Sequence, residues 1–211
     1  MKQTQGEGLT PDDEAIGWFE DLYRAADRGE REVPWDDAAP QPLLLEWTRE
    51  QHITGGGRRA VVVGSGLGRD AELIASLGFE TTAFDISPTA VRNAQRRHPE
   101  SSVHYVVADL LELPVGWPDA FDLVVESITV QALPRRLREQ ATAGVAALVA
   151  PGGTLIVVSH SLGERDDPDA GPPWPLTRPE IEAFSRYDLT PVRIEQIGDR
   201  WRAEFYREET R

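Results

Sequence analysis

Residues 61–87 read VVVGSGLGRDAELIASLGFETTAFDIS, and the order of features in this stretch decides the fold. Three valines run straight into Gly64, Gly66 and Gly68. An amphipathic segment, DAELIASLG, follows, and then a second apolar run, ETTAFD, that ends on Asp85. This is a strand, a glycine turn, a helix and a second strand closed by an acid. Glycine at a strand-to-helix turn admits positive φ and lets a ligand approach the backbone, because no Cβ intervenes. Asp85 lies 17 residues after Gly68. A carboxylate there can accept hydrogen bonds from a ribose diol held above the loop. Two plainer readings stand beside this one. A tight βα turn uses glycine without any ligand, and Asp85 can simply satisfy a nearby backbone N–H. Ser87-Pro88 already provides a capping residue and a first-turn proline for the next helix, so Asp85 is not needed as its cap.

Outward from this core the pattern repeats. SPTAVRNAQRRH (87–98) is a helix, and VHYVVAD (103–109), FDLVVES (121–127) and GTLIVVS (153–159) are strands. The Ala-rich RLREQATAGVAALVA (136–150) is a helix before the last of these. Strands alternating with helices imply a parallel sheet covered on both faces, and near-continuous Val/Ile/Leu content fits that burial. Beyond residue 176 a helix, TRPEIEAFSRY, leads to TPVRIEQI and RWRAEFYRE, separated by Gly198-Asp199. A Gly-Asp pair between alternating strands signals a hairpin. The expected architecture is an α/β, Rossmann-like, doubly wound sheet of seven strands, mostly parallel with a C-terminal antiparallel pair. The first ten residues read as loose. Thr10-Pro11 starts a helix bearing Ile16, Phe19, Leu22 and Tyr23, and a Pro-rich connector containing Trp35 leads to a short helix at LLLEWTREQ. The whole chain, 1–211, reads as one domain, with residues 1–57 forming an N-terminal helical lid and 58–211 the core.

Composition narrows the function. The 211 residues carry 36 acidic and 22 basic side chains, a formal net charge of -14, and Lys2 is the only lysine. A negative surface repels phosphate backbones and anionic lipid, so neither nucleic acid nor a membrane is the expected partner. No apolar run approaches the roughly 20 residues needed to span a bilayer. MKQTQGEGLTPDDE lacks an apolar signal core, which makes the cytoplasm the expected compartment. Zero cysteines exclude thiolate metal sites and cysteine nucleophiles. No two histidines show a spacing such as H-E-x-x-H, so no metal is expected. Oligomeric state is not legible.

Which nucleotide the loop holds depends on its spacing. Dinucleotide enzymes carry G-x-G-x-x-G, whereas here the pattern is G-x-G-x-G and Arg69 stands three positions after Gly66. Asp70 would also set a carboxylate near a pyrophosphate, while a cofactor with sulfonium and ammonium groups tolerates that acid. From about residue 58 to 160 the sequence resembles the class I S-adenosylmethionine-dependent methyltransferases. The resemblance implies S-adenosylmethionine as cofactor, S-adenosylhomocysteine as product, and a small-molecule acceptor. It assigns cofactor contacts to Gly64, Ser65, Gly66, Gly68, Asp70, Asp85 and Ile86. Asp109 and Leu110 follow the third strand, and Glu126 and Thr129 line the methionine end, with Gln131 behind them. Asp109 as a turn-capping strand-end acid is the plain alternative. The acid that many members carry two positions before the first glycine is Val62 here.

Within that superfamily the chain is most similar to the thiopurine, thiol and halide methyltransferase branch. Trp18 in GWFEDLYRAADRG, PWDD at 34–37, Gly68-Arg69-Asp70 and Gly171-Pro172-Pro173-Trp174 carry that likeness. It implies Trp35 beside the cofactor with Trp18 nearby, toward the acceptor, while the aromatic and proline content of the 161–176 loop offers Trp174 as an acceptor contact; as core filling, the two N-terminal tryptophans have a plainer reading. A thiol is already partly ionised near neutral pH and a halide needs no deprotonation, so methyl transfer by in-line displacement asks for little base catalysis. His160, after the fifth strand, is the histidine placed to act as catalyst or acceptor contact, with Glu126 the acidic candidate. A structural role is the alternative for His160. Arg135 and Arg136 read as a surface pair, and Glu164 to Asp169 as a solvated loop. Two other classes remain: a dinucleotide-dependent oxidoreductase, disfavoured by the spacing and by the lack of a Tyr-x-x-x-Lys pair, and a non-catalytic S-adenosylmethionine-binding protein.

Overall fold

A computed structural model describes residues 11–37, 39–163, 166–167 and 171–209. Two helices, α1 (Pro11–Asp27) and α2 (Pro42–Glu50), precede the alternating core. The core runs β1 (Arg59–Val63), α3 (Arg69–Ser76), β2 (Glu80–Asp85), α4 (Pro88–Arg97), β3 (His104–Val107), β4 (Phe121–Ser127), α5 (Arg135–Ala147) and β5 (Val149–His160). It closes with α6 (Arg178–Glu182), β6 (Thr190–Ile197) and β7 (Arg200–Tyr206). The seven strands form one sheet in the order β3-β2-β1-β4-β5-β7-β6. The first five pair in parallel, and β7 runs antiparallel to both β5 and β6. The mixed sheet read from the sequence is therefore the observed one.

Side-chain alternation explains why the central strands are apolar throughout. Val61 and Val63 enter one buried cluster with Phe84, Val124, Val157, Leu137 and Phe184. Ala60 and Val62 enter another with Ala83, Val125, Leu44, Trp47 and Ile74. Successive residues of a strand point to opposite faces, so a strand sandwiched between helices must be apolar at every position. Helix starts follow the sequence signals. Ser87 Oγ accepts from the Ala90 N–H at 3.0 Å, with Pro88 in the first turn. Thr177 and Glu180 form a reciprocal capping box on α6. The proposed Thr10 cap and the loose first ten residues lie outside the described residues, as does most of the acidic stretch 164–169.

Three boundaries differ most from expectation. The C-terminal helix ends at Glu182 and tightens into a 3₁₀ turn over Ala183–Arg186, because Phe184 must turn under β7 to reach Phe205. β5 begins at Val149, and an irregular register against β4 absorbs Pro151-Gly152-Gly153. The proline and glycines hide that start from a propensity reading. The helix read from Arg136 spans Arg135–Ala147, since Val149 and Ala150 belong to the strand.

The N-terminal elements are fastened to the core by charge. Glu20 of α1 accepts from Ser87 Oγ (2.5 Å), Thr89 Oγ1 (2.7 Å) and the Thr89 N–H (3.1 Å) at the start of α4. Asp36 receives two 2.6 Å hydrogen bonds from Arg97 at the end of that helix. α2 is held by the Trp47 indole N–H on Glu204 at 3.0 Å, and by buried Arg202, which reaches Glu50 at 3.0 Å. Among the described residues, no helix is long and apolar enough to cross a membrane.

Candidate functional site

The strand order reverses between β1, which leads to β2 on one side, and β4 on the other. Loops leaving the C-terminal ends of these two strands run in opposite directions and open a crevice, the usual ligand site of such sheets. Here the crevice is a deep pocket roofed by α1 and the Trp35 connector. Along the sheet edge its floor presents, in order, Asp109 and Leu110 after β3, Asp85 and Ile86 after β2, Gly64 to Leu67 after β1, and Ser127 to Thr129 after β4.

The glycine loop is shaped by its neighbours. Gly64 has φ +58°, and a Cβ there would meet Thr129 Oγ1 at 2.3 Å. That hydroxyl is committed, donating to the Val63 carbonyl at 3.0 Å. Asp85 holds the loop open from below: one carboxylate oxygen accepts from the Gly66 N–H and the other from the Ser87 N–H, both at 2.9 Å. The backbone-satisfying reading of Asp85 is thus part of its geometry, and the residue also lines the pocket. Burial pushes its carboxyl up to about 6 despite these hydrogen bonds. Asp70 is partly buried. It accepts from the Gln41 N–H at 2.8 Å, and burial raises it against the hydrogen bonds from Gln41 and Ser127. Asp109 Oδ1 accepts from the Leu111 N–H at 2.7 Å, the turn cap considered above, while the residue also lines the pocket. Ser65 Oγ is buried in the loop without a hydrogen-bond partner among the described residues.

The roof is aromatic. The Trp35 indole N–H donates to Tyr23 Oη at 2.7 Å, and the ring meets Trp18 and Phe19 edge-on at 6.0 and 6.4 Å. Burial and the nearby Asp85 charge push the Tyr23 phenol upward, so it stays neutral. Toward β4 the wall changes character: Ile128, Ala132, Leu133 and Pro173 are apolar.

Ten of the residues singled out from sequence meet on this pocket: Trp35, Gly64, Ser65, Gly66, Asp70, Asp85, Ile86, Asp109, Leu110 and Thr129. Five do not line it. Gly68 caps α3 at φ +91°, and a Cβ there would strike Tyr105 Oη at 2.3 Å, so packing requires this glycine. Glu126 is fully buried behind the wall. One carboxylate oxygen takes the Thr129 and Val130 N–H groups at 2.8 and 2.9 Å, which makes it the anchor of the turn after β4. Burial pushes its carboxyl up to about 7. Trp18 stacks on Phe19 at 4.1 Å, one layer above the pocket. Trp174 folds back over Gly171, and Pro173 of the same loop reaches the pocket instead. His160 is bound to Gln131 at the strand end, and it too is absent from the lining.

Several lining residues escaped the sequence reading. Asp36, Asp37, Gln41 and Arg69 enter because the Pro-rich connector crosses the start of α3. Ile16, Phe19 and Tyr23 carried a helical apolar periodicity, which core burial explains equally well. Ser127 ends β4, and Ile128 and Leu133 follow it, with no distinguishing residue type.

A protein family described as "Methyltransferase domain" matches residues 60–153. Probable thiol methyltransferase 2 of Arabidopsis thaliana is 28% identical over 168 residues, covering 79% of this chain and 70% of the relative. Thiocyanate methyltransferase 1 of the same plant is 25% identical over 205 residues, covering 93% and 86%. A ubiquinone biosynthesis O-methyltransferase of Xanthomonas campestris pv. campestris is 32% identical over 132 residues, and the chain spans about half of it, 54%. Among solved structures, the Burkholderia thailandensis 1,6-didemethyltoxoflavin-N1-methyltransferase with bound 1,6-didemethyltoxoflavin and S-adenosylhomocysteine superposes with a TM-score of 0.69. It is 20% identical, with 97% of this chain and 94% of that one covered. That likeness is one of fold.

Proposed function

We propose that this chain is a class I S-adenosylmethionine-dependent methyltransferase, in keeping with the methyltransferase domain matched over residues 60–153, and that it methylates a small molecule at a soft nucleophilic atom, foremost the sulfur of a thiol. The observation that carries this is the division of the pocket along the sheet edge. Asp85, Asp109 and the glycines lie at the ends of β1 to β3, with Asp36, Asp37 and Asp70 added by the connector and α3, whereas Ile128, Ala132, Leu133 and Pro173 at the β4 end bring no titratable side chain.

The acidic end fits the cofactor. Asp85 offers unfilled lone pairs for a ribose diol, and Asp109 with Leu110 offers an acceptor and an apolar wall for an adenine. Asp70 lies where a cationic amino-acid end can meet a partly buried carboxylate, and Ser65 of the glycine loop lines the same pocket. Trp35, Gly64, Gly66, Ile86 and Thr129 complete the cradle, and α1 with the Trp35 connector acts as its lid over the sheet. When bound, S-adenosylmethionine supplies an electrophilic sulfonium methyl group. The protein's own part is to position and to exclude water. Fixing two reactants in line contributes several kcal/mol to the rate. Tyr23, Trp35 and Phe19 close the roof against solvent, and the apolar end strips water from the acceptor. Without a base at that end, the acceptor must arrive already ionised or need no deprotonation, which favours thiols and soft anions over phenols and amines. The thiol and thiocyanate methyltransferase names of the Arabidopsis relatives support the same class.

Calorimetry and a turnover screen test this together. S-adenosylhomocysteine should bind while NAD and NADP do not, and thiophenol, hydrosulfide and iodide should be methylated faster than phenol or aniline. Binding of the dinucleotides alone, or a preference for phenol with a pH profile demanding a base, would overturn the reading.

A further inference from the structure

The geometry points to Ile128 as the residue that sets acceptor size, a role that rests on the methyl-transfer reading above. Ile128 directly follows β4 and lines the pocket, and its backbone sits at φ +64°. A β-branched residue in the left-handed region is strained, and such strain persists only where surrounding bonds over-determine the backbone.

Here they do. The Ile128 N–H donates to the Val158 carbonyl at 2.9 Å, extending the β4–β5 ladder past its last pair. On the other side, Thr129 and Val130 N–H groups are both taken by buried Glu126, and Thr129 Oγ1 is tied to the Val63 carbonyl. The turn is thus clamped from both neighbouring strands and cannot relax. Glycine would adopt this backbone without strain. An isoleucine in its place projects a branched side chain at a position the clamp prevents from moving. It stands at the β4 end with Leu133 and Pro173, where the apolar wall begins. A rigid wall excludes by size in a way a mobile side chain does not. We therefore infer that Ile128 restricts the acceptor chamber to small apolar groups, and that removing its side chain admits larger ones.

Two variants separate side chain from backbone. Ile128→Ala keeps the strain and loses the wall, whereas Ile128→Gly loses both. On protein saturated with S-adenosylhomocysteine, binding of benzene and naphthalene is measured by ligand-observed NMR. With S-adenosylmethionine, turnover of thiophenol is compared with that of 2-naphthalenethiol. Both variants should shift the large-to-small ratio at least tenfold toward the larger ring, with S-adenosylhomocysteine affinity within threefold of the parent. Ile128→Gly should melt above Ile128→Ala. Ratios within twofold of the parent, a loss of S-adenosylhomocysteine affinity in step, binding of neither ring, or a higher melting point for the alanine variant would each overturn the assignment. Failure of the parent to bind S-adenosylhomocysteine at all sinks the methyltransferase reading instead, which keeps the two failures distinct.

Discussion

The side-chain amide of Gln131 grips His160 twice: its Oε1 accepts the main-chain N–H of His160 at 2.6 Å, and its Nε2 lies 2.8 Å from His160 Nδ1. The first contact settles the second. A backbone N–H can only donate, so the amide oxygen must face it and the NH₂ must face the ring. Nδ1 is then an acceptor without a proton, and a neutral ring carries its hydrogen on Nε2. Protonating Nδ1 would set two donors against each other. Burial and the Arg200 charge lower the His160 pKa as well, with Asp199 opposing them. His160 therefore ties the end of β5 to the turn after β4 through a neutral imidazole.

Nitrogen-15 NMR checks this directly: between pH 6 and 8 the His160 ring should show an unprotonated Nδ1 and a protonated Nε2. Gln131→Glu, which puts a carboxylate beside Nδ1, should raise the histidine pKa and move the proton to Nδ1. A protonated Nδ1 in the parent protein would disprove the arrangement.

Asp85 supports the glycine loop and faces the cofactor end at once. Asp85→Asn keeps one carbonyl oxygen but surrenders a charged acceptor, worth about 1.5–3 kcal/mol. Affinity for S-adenosylhomocysteine, measured by calorimetry, should fall about tenfold to a hundredfold. An unchanged affinity would remove Asp85 from the ribose role and leave it only its hydrogen bonds to Gly66 and Ser87.

Glu126 makes stability depend on pH. Its carboxyl is raised by burial from 4.5 to about 7 in the folded chain, so the folded state favours the protonated form. That contribution is fully present below pH 4.5 and is lost as pH rises toward 7, by about 3 kcal/mol at 1.36 kcal/mol per unit. Glu126→Gln mimics the protonated carboxyl. Its stability in urea, relative to the parent, should improve steadily from pH 4.5 to 7.5. A difference that does not vary with pH would show that the buried carboxyl does not titrate in this window.

Glu20 latches α1 onto α4. Burial opposes its charge, but Ser87, Thr89 and Arg24 together hold the carboxyl at about 2. Glu20→Ala removes an external cap from the first turn of α4, a loss of about 1 kcal/mol. Hydrogen exchange should show residues 16–27 opening faster while β1 and β4 stay protected, and S-adenosylhomocysteine should dissociate faster. Uniform loss of protection across the sheet would mean that Glu20 supports the whole fold and not the lid.

The limits of the sequence follow from which interactions are local. Asp85, Gly64 and Trp35 could be placed because strand, turn and helix are separated by only a few residues, and the glycine spacing reports a local backbone demand. Glu126 and Gln131 could be named but not assigned, since nothing in FDLVVESITVQALP says which polar side chain faces a ligand and which faces an amide. The side-chain period along a strand places Glu126 on the same face as Val124, where it is buried and accepts from the Thr129 and Val130 N–H groups. Trp174 and Pro173 are adjacent in sequence, and only loop packing decides that the proline reaches the pocket.

By itself the sequence determined the two-sided apolar strands, the strand order of chemistry from the glycine loop to Asp85, and the antiparallel ending at Gly198-Asp199. Each is written in the periodicity or backbone preference of contiguous residues. The tertiary structure decided what contiguous residues cannot encode. It brought Glu20 to Ser87 across 67 positions and Gln131 to His160 across 29, and it clamped Ile128 between strands. Those outcomes depend on which buried polar groups find partners when helices and strands pack, and that choice is made only once the whole chain has folded.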